Sequence, residues 1–305
     1  MEHVFEKNFD FVIERAKALK KRARVVVTGA YIDNIVSAVF KAEEEGFVYP
    51  VLVGSEDRVL AVLERLGLKD RNYQICNVAE GDDLVQSAID VVNAGMGDIL
   101  MRGNTSTRNF LMPILNKSNK LVKNKIVSEV SLVKVPYYDR VLALSDVSVS
   151  VNPSVEQRME IIKNMVEVLD ALGIDHPNVA VLALVEKPSF HMRDTVEAQN
   201  IAREHEIEPI ADCNIVGPIS WDLIVSKESA EAKDFKCDLC GEFDAVLMPN
   251  VMAGNIAMKV LSMSANVNSC GVLAGTAVPV AMASRSSSVE RAYLSLCVAA
   301  AMLHK

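Results

Sequence analysis

Aromatic residues are scarce, at 5% of 305 positions with a single tryptophan. Stacked rings therefore cannot build the core. It has to come from Val, Leu, Ile, Ala and Met, the usual filling of a layered α/β protein, and half of the residues are of the hydrophobic kinds. Cysteine is sparse too. Six thiols exclude a disulfide scaffold, and Cys76, Cys213, Cys270 and Cys297 stand singly in mostly apolar surroundings, where a thiol packs as a small hydrophobe. Cys237 and Cys240 have the spacing of half a zinc ribbon, but no second pair follows at ribbon distance, so no metal site is expected. Net positive charge is absent: the chain carries −8, which excludes a broad nucleic-acid footprint and requires any anionic ligand to meet locally gathered cations. No apolar run reaches bilayer length, and the start Met1-Glu2-His3-Val4-Phe5-Glu6-Lys7 lacks the basic and apolar regions of a secretory signal. A cytoplasmic protein with no nucleic-acid and no membrane partner is expected. Repeats and low-complexity linkers are also missing, and a chain this long ordinarily splits its core in two.

What is present is an alternating rhythm. Steps of four and three between Phe5, Phe9, Val12, Ala16 and Leu19 predict a helix over 4–21, closed by Lys20-Lys21-Arg22. Residues 24–28 read as a buried strand ending at Gly29, 33–45 as an amphipathic helix stopped by Gly46, and 49–54 as the next strand. Helices over 59–66 and 84–94 and a strand over 74–78 continue the pattern. Strand, helix, strand implies parallel pairing with right-handed crossovers. A strand over 99–101 then runs into Arg102-Gly103-Asn104-Thr105-Ser106-Thr107 and a helix over 109–115. Ligands of open parallel sheets bind past the carboxyl ends of strands, so this loop reads either as a ligand loop or as a plain turn with a threonine cap.

The rhythm breaks over 125–151, where two strand-like runs, 126–135 and 140–151, follow each other with no helix between and predict antiparallel pairing. Asp146 in the second run could orient a basic group or take a proton; a surface loop carboxylate is the competing account. Beyond it, 154–172 reads as a helix capped by Ser154 and stopped by Gly173, 178–185 as a buried strand and 195–206 as a helix. Residues 243–249 read as a strand, 250–255 as a turn, and a helix opens at Ile256.

The most informative stretch is Ala283-Ser284-Arg285-Ser286-Ser287-Ser288-Val289-Glu290. One buried strand is expected over 272–283 and a helix over 289–303, which sets four serines and an arginine between a strand end and a helix start. Free N–H groups and the helix dipole favour a negative ligand there. Any one of these serines could simply cap the helix, but a planar guanidinium matches phosphate oxygens in a way that capping does not require.

With these stretches in hand, the chain resembles the phosphate acetyltransferase and phosphate butyryltransferase family, and is closer in size and wording to the butyryltransferase branch. The resemblance covers nearly the whole chain and rests on motifs in order: 98–107; Ser145-Asp146 through Asn152-Pro153 with Gln157 and Ile161-Ile162-Lys163-Asn164; Leu172-Gly173-Ile174 with 179–185; Thr195-Val196-Glu197-Ala198; Gly217-Pro218; 244–249; Gly254-Asn255 with Lys259; and Ser284-Arg285. It implies reversible transfer of a short-chain acyl group between coenzyme A and inorganic phosphate by direct attack in a ternary complex. Acyl-CoA, phosphate and acyl phosphate are then the partners, with coenzyme A a substrate, no tightly bound cofactor and no metal. It also implies two α/β domains with mostly parallel sheets and an interdomain cleft, an isocitrate/isopropylmalate dehydrogenase-like architecture in a homodimer or larger homo-oligomer. Residues 1–126 with 284–305 would form one domain and 127–283 the other.

On this match Ser284 and Arg285 bind the phosphoryl group and the developing oxyanion, and Asp146 holds a partner in register. Arg102, Gly103, Asn104, Thr105, Thr107, Asn152, Gly254 and Asn255 line the substrates. Two positions depart from the family pattern. Acetyltransferases carry an aspartate seven positions past the motif serine, where this chain has Arg291; butyryltransferase-like chains carry one three past it, where this chain has Ser287. Glu290 is then the candidate base, although a partly ionised thiol needs little help. A non-catalytic module that binds acyl-CoA or acyl phosphate is the alternative, and the retained Ser284 and Arg285 favour the enzyme.

Overall fold

The computed structural model describes residues 8–264 and 267–304; Phe5, counted above in the first helical stripe, and the Met1 to Lys7 start lie outside them. After helix α1 (Asp10–Lys17) the chain alternates through β1 (Ala23–Thr28), α2 (Asp33–Glu44), β2 (Val48–Gly54), α3 (Glu56–Arg65), β3 (Gln74–Asn77), α4 (Leu84–Asn93), β4 (Ile99–Arg102) and α5 (Thr107–Leu115). The strands pair in parallel, with β1 between β2 and β4 and β3 outside β2. Five of the six β1 residues and all four of β4 are buried, as expected of strands covered on both faces. Such strands show in a sequence as unbroken apolar runs, which is why these positions were legible.

The expected break in the rhythm is real: β5 (Ser128–Val133) and β6 (Leu142–Ser145) pair antiparallel. There follow α6 (Val155–Ala171), β7 (Asn178–Leu182), α7 (Arg193–Ile207), β8 (Asn214–Ile219), the short helices α8 (Trp221–Val225) and α9 (Lys227–Ala232), β9 (Ala245–Leu247) and α10 (Val251–Ser264). The sheet order is β5-β6-β9-β7-β8, and all pairs except β5 with β6 are parallel. α6 begins with the expected Ser154 cap, completed by a reciprocal bond from Gln157 into a capping box. The run 250–255, expected as a turn, is instead the opening of α10, so Gly254 and Asn255 are helical.

The last segment also departs from expectation. Residues 272–283 do not form one strand. They divide into β10 (Ser269–Ala274) and β11 (Val280–Ala281), paired antiparallel with Val272 opposite Ala281. Gly275 takes a positive φ of 81°, and the Thr276 hydroxyl donates to the Val278 carbonyl at 2.7 Å, so the chain reverses within a run of small residues. β11 then pairs parallel to β4, Val280 with Leu100 and Ala281 with Met101, and leads into α11 (Val289–Ala301), buried from Ala292 onward.

The chain divides into two compact units, Ser128–Ser269 in one and Asp10–Val127 with the chain from Cys270 in the other. The second boundary falls at 269/270, earlier than the expected 283/284, because β11 is built into the sheet beside β4. Each unit is an α/β layer on a mostly parallel sheet. Among the described residues, no helix is long and apolar enough to cross a membrane.

Candidate active site

In the unit that begins at Asp10, the chain leaves β1 towards β2 on one side and later returns to β4 on the other, which makes the carboxyl ends of β1 and β4 a topological switch point. The two strands are in register to their ends, Thr28 opposite Arg102. Gly103 fits there because a Cβ would lie 2.2 Å from the Thr28 carbonyl oxygen and 2.7 Å from that of Gly29. Its N–H donates to the Thr28 hydroxyl at 3.2 Å, and the Asn104 N–H donates to Gly29 O at 3.0 Å. Thr28 and Gly29 were not singled out in the sequence; a glycine closing the first strand of an open sheet was the signal available. Arg102 is buried and turns back on its own loop, with Nε and Nη2 donating to Thr105 O at 3.1 and 3.0 Å. It shapes the loop. The Thr105 hydroxyl oxygen is buried without a hydrogen-bond partner among the described residues, and Asn104 and Thr107 are exposed. The helix cap is Ser106, which accepts from Asn109 N at 3.1 Å, so Thr107 is the first residue of α5.

Because β11 runs parallel beside β4, its exit loop emerges next to the Arg102 loop. Ser284 and Ser287 fix this turn reciprocally: Ser284 N donates to the Ser287 hydroxyl and Ser287 N to Ser284 O, both at 2.9 Å. Asn34 on α2 donates to Ser287 O at 3.1 Å, and Ser288 caps α11 by accepting from Arg291 N. Ser287 is buried and used up by the turn, whereas Ser284, Arg285 and Ser286 are exposed. The Ser284 and Ser286 hydroxyls lie 3.1 Å apart, and the Arg285 guanidinium has no partner among the described residues. Glu290 turns away: it pairs at 3.5 Å with Lys41 in the last turn of α2, seven residues beyond Asn34. Seven residues are about 10 Å of helix, so its carboxylate is aimed down the helix pair and away from Ser284.

In the other unit, Asp146 follows β6. It is buried, and it is neither a surface carboxylate nor open to a ligand cation. Oδ1 accepts from the N–H groups of Glu129, Ser148 and Val149 at 3.0 to 3.2 Å, and Oδ2 from Ser150 N at 2.7 Å. Four charge-assisted backbone bonds make it the organiser of the 146–150 loop. α10 lies against that loop: a Cβ on Gly254 would stand 2.5 Å from Asp146 O, and Asn255 Nδ2 donates to Val147 O at 3.0 Å. Asp146, Gly254 and Asn255 are thus brought together, while Asn152 is exposed further along the loop.

Sequence reading passed over Arg158, a charged residue in the apolar stripe of α6 at the spacing of Ile161, Ile162 and Met165. It is fully buried, its Nη1 reaches Glu197 at 3.3 Å, and Nε and Nη2 have no partner among the described residues. Burial pulls its pKa down, against the pull of Glu197 and Asp194. Four of the six thiols are not on offer as nucleophiles: Cys213, Cys240 and Cys297 are buried and pushed up to about 12, and burial raises Cys270 well above its usual value. His191 is exposed in its loop. Among the described residues, no three of His, Cys, Asp or Glu gather as a metal-binding group.

The geometry therefore offers exposed hydroxyls and a guanidinium at the carboxyl ends of adjacent parallel strands, suited to holding an oxyanion. The chain is similar to known proteins over most of its length. A family model described as Phosphate acetyl/butaryl transferase matches residues 78–300. The phosphate butyryltransferase of Clostridium acetobutylicum is 30% identical over 294 residues, covering 96% of this chain and 97% of that protein. The phosphate acetyltransferase of Thermotoga maritima is 29% identical over 289 residues, with 95% and 97% covered. The crystal structure of a branched-chain phosphotransacylase from Enterococcus faecalis V583 matches with a TM-score of 0.81 at 25% identity, covering 92% of this chain and 99% of that one. On the match across most of its length, and with an α/β fold to go with it, this chain belongs to the phosphate acetyl/butyryl transferase family.

Proposed function

We propose that this protein transfers a short-chain acyl group reversibly between coenzyme A and inorganic phosphate, with acyl phosphate as the other product. The observation that carries the reading is the Arg285 guanidinium, unpaired among the described residues, beside the Ser284 and Ser286 hydroxyls on a loop leaving β11 next to the β4 loop. A phosphate oxygen attacks the thioester carbonyl, the C–S bond breaks from the tetrahedral adduct, and the thiolate leaves; in reverse the thiolate attacks the acyl phosphate. Arg285 orients phosphate through its fork of donors, and Ser284 with Ser286 donates to the oxygens that gain charge. The buried, unpartnered Thr105 hydroxyl supplies a further polar contact on the neighbouring loop. Coenzyme A thiol is partly ionised near neutral pH, so Glu290 is not needed as a base. Asp146 acts through the loop it ties, as a positioning residue, and so does Arg102.

The finer architecture implied by the resemblance, two domains of isocitrate dehydrogenase type with the site in the crevice, belongs to the same proposal. So does a homo-oligomer. Met252, Ile256, Val260 and Met263 form an exposed apolar stripe on α10, which supports association of copies.

The test is incubation with butyryl-CoA and phosphate while free thiol is followed, then the same assay across acyl chains. Thiol release that depends on phosphate is expected, with Arg285→Lys raising the phosphate KM about tenfold or more, since charge is kept but the fork is lost. No release with any acyl chain, or an unchanged phosphate KM in that variant, overturns the assignment.

A further inference from the structure

The unit that holds the Ser284 loop has a concavity at the opposite end of the same strands. It opens at the amino-terminal ends of β1 and β4, where Ala23 and Asp98 line it, and between the chain following α1 and the chain following α11. Its volume is about 430 Å³, within the range of small-molecule sites. Lys20, Lys21, Arg22 and His304 line it, while Leu19 and Leu303 give it a half-buried apolar wall. β1 has six residues, so this hollow and the β1 exit loop lie about 20 Å apart along the strand.

The charge balance sets this hollow apart from an ordinary solvated surface. Asp98 is the one carboxylate among the described residues of its wall, and Arg24 holds it: Nη2 and Nε reach its two oxygens at 2.7 and 2.9 Å, and the Arg24 backbone N–H adds a third bond at 2.8 Å. Arg22 gives Nε to Gly46 O at 3.1 Å and stands 4.0 Å from Glu43, whose carboxylate Arg71 already holds. Lys20 and Lys21 make no hydrogen bond or ion pair among the described residues, and Lys21 acts on Asp98 through its charge alone. His304 directs Nε2 at Arg15 O at 2.7 Å, so that nitrogen donates and Nδ1 is its remaining polar atom. In a chain of net charge −8 this is, among the described residues, a local excess of positive charge over an apolar wall.

We propose that this hollow binds a small molecule carrying clustered phosphates, at a site separate from the Ser284–Ser288 loop. Ammonium groups hold phosphate as point charges, and the leucine wall accepts a flat or apolar remainder. The competing account is that the lysines merely offset the carbonyl ends of α1 and α11, which would leave the hollow without a ligand.

Calorimetric titration of the full chain with inorganic tripolyphosphate at low salt separates the two. The background is Arg285→Ala, so that binding at the Ser284 loop does not contribute. Binding is expected in that protein, with a shift of the His304 ring protons by NMR. Adding Lys20→Ala and Lys21→Ala weakens it at least tenfold and abolishes the shift. Both lysines are exposed, so the variants fold, and an unchanged melting curve checks this. In an otherwise wild-type chain the lysine pair of substitutions leaves the phosphate KM for acyl transfer unaltered. The proposal falls if Arg285→Ala protein binds no tripolyphosphate, if the lysine substitutions leave binding intact, or if they change the phosphate KM. The first two of these outcomes do not depend on whether acyl transfer is the activity, so they fail or hold separately from the proposed function.

Discussion

A charged side chain can act on a ligand only if the protein has not already engaged it, and Arg285, Glu290 and Asp146 differ in this respect. Arg285 is exposed and unpaired among the described residues, Glu290 is paired with Lys41, and Asp146 is saturated by four backbone N–H groups. Residue type was legible in the sequence for all three; partnership was not, because Lys41 is far from Glu290 in the chain and the Asp146 bonds depend on how one loop closes. Glu290→Gln is therefore expected to keep kcat within about threefold and to cost under about 1 kcal/mol of stability, the range of an exposed ion pair. Steady-state kinetics and thermal melting check it, and a hundredfold fall in kcat would return the carboxylate to the chemistry.

At the scale of elements, two glycines let backbones approach where any side chain would collide. Gly103 sits against the Thr28 carbonyl and Gly254 against the Asp146 carbonyl, at 2.2 and 2.5 Å from where a Cβ would stand. Backbone cannot rotate away as a side chain can. Gly103→Ala and Gly254→Ala are each expected to lose roughly 2 kcal/mol or more by denaturant unfolding, with Gly103→Ala also displacing the Thr105 hydroxyl. Unchanged midpoints would show that the strand end and helix yield. These contacts also explain which elements could be read ahead. Strands buried on both faces announce themselves as apolar runs, and α6 carries its own capping box. The start of α10 was hidden because Gly254 and Asn255 locally discourage a helix, and the reason for glycine there is a contact with a loop more than a hundred residues earlier. The reversal between β10 and β11 was hidden for a related reason: small residues serve a buried strand and a tight turn equally well.

For the molecule as a whole, the pairing of Arg24 with Asp98 joins the starts of β1 and β4. Arg24 holds the Asp98 carboxyl below its ordinary range, chiefly through their hydrogen bonds and against the opposing effect of burial. A carboxylate depressed in the folded state stabilises the protein above its unfolded pKa, near 3.9, and that contribution is lost as pH falls through the folded value. Melting temperatures of wild type and Asp98→Asn are thus expected to differ fully at pH 6 to 7 and to converge below about pH 4. The gap should narrow in salt, because the pair is partly exposed. A gap that widens on acidification would contradict the assigned pairing.

The order in which the two units are written has its own consequence. The chain lays down β1 to β4 first, then all of Ser128–Ser269, and only afterwards β11, the neighbour that covers the free edge of β4. On the ribosome the later-encoded unit is complete before the earlier one, and a nascent β4 leaves the exit tunnel with one row of peptide groups unmatched for nearly two hundred residues. The Ser284–Ser288 loop, which follows β11, is therefore among the last parts of the chain to take shape, and half-made chains carry a bare β4 edge where the finished protein has β11.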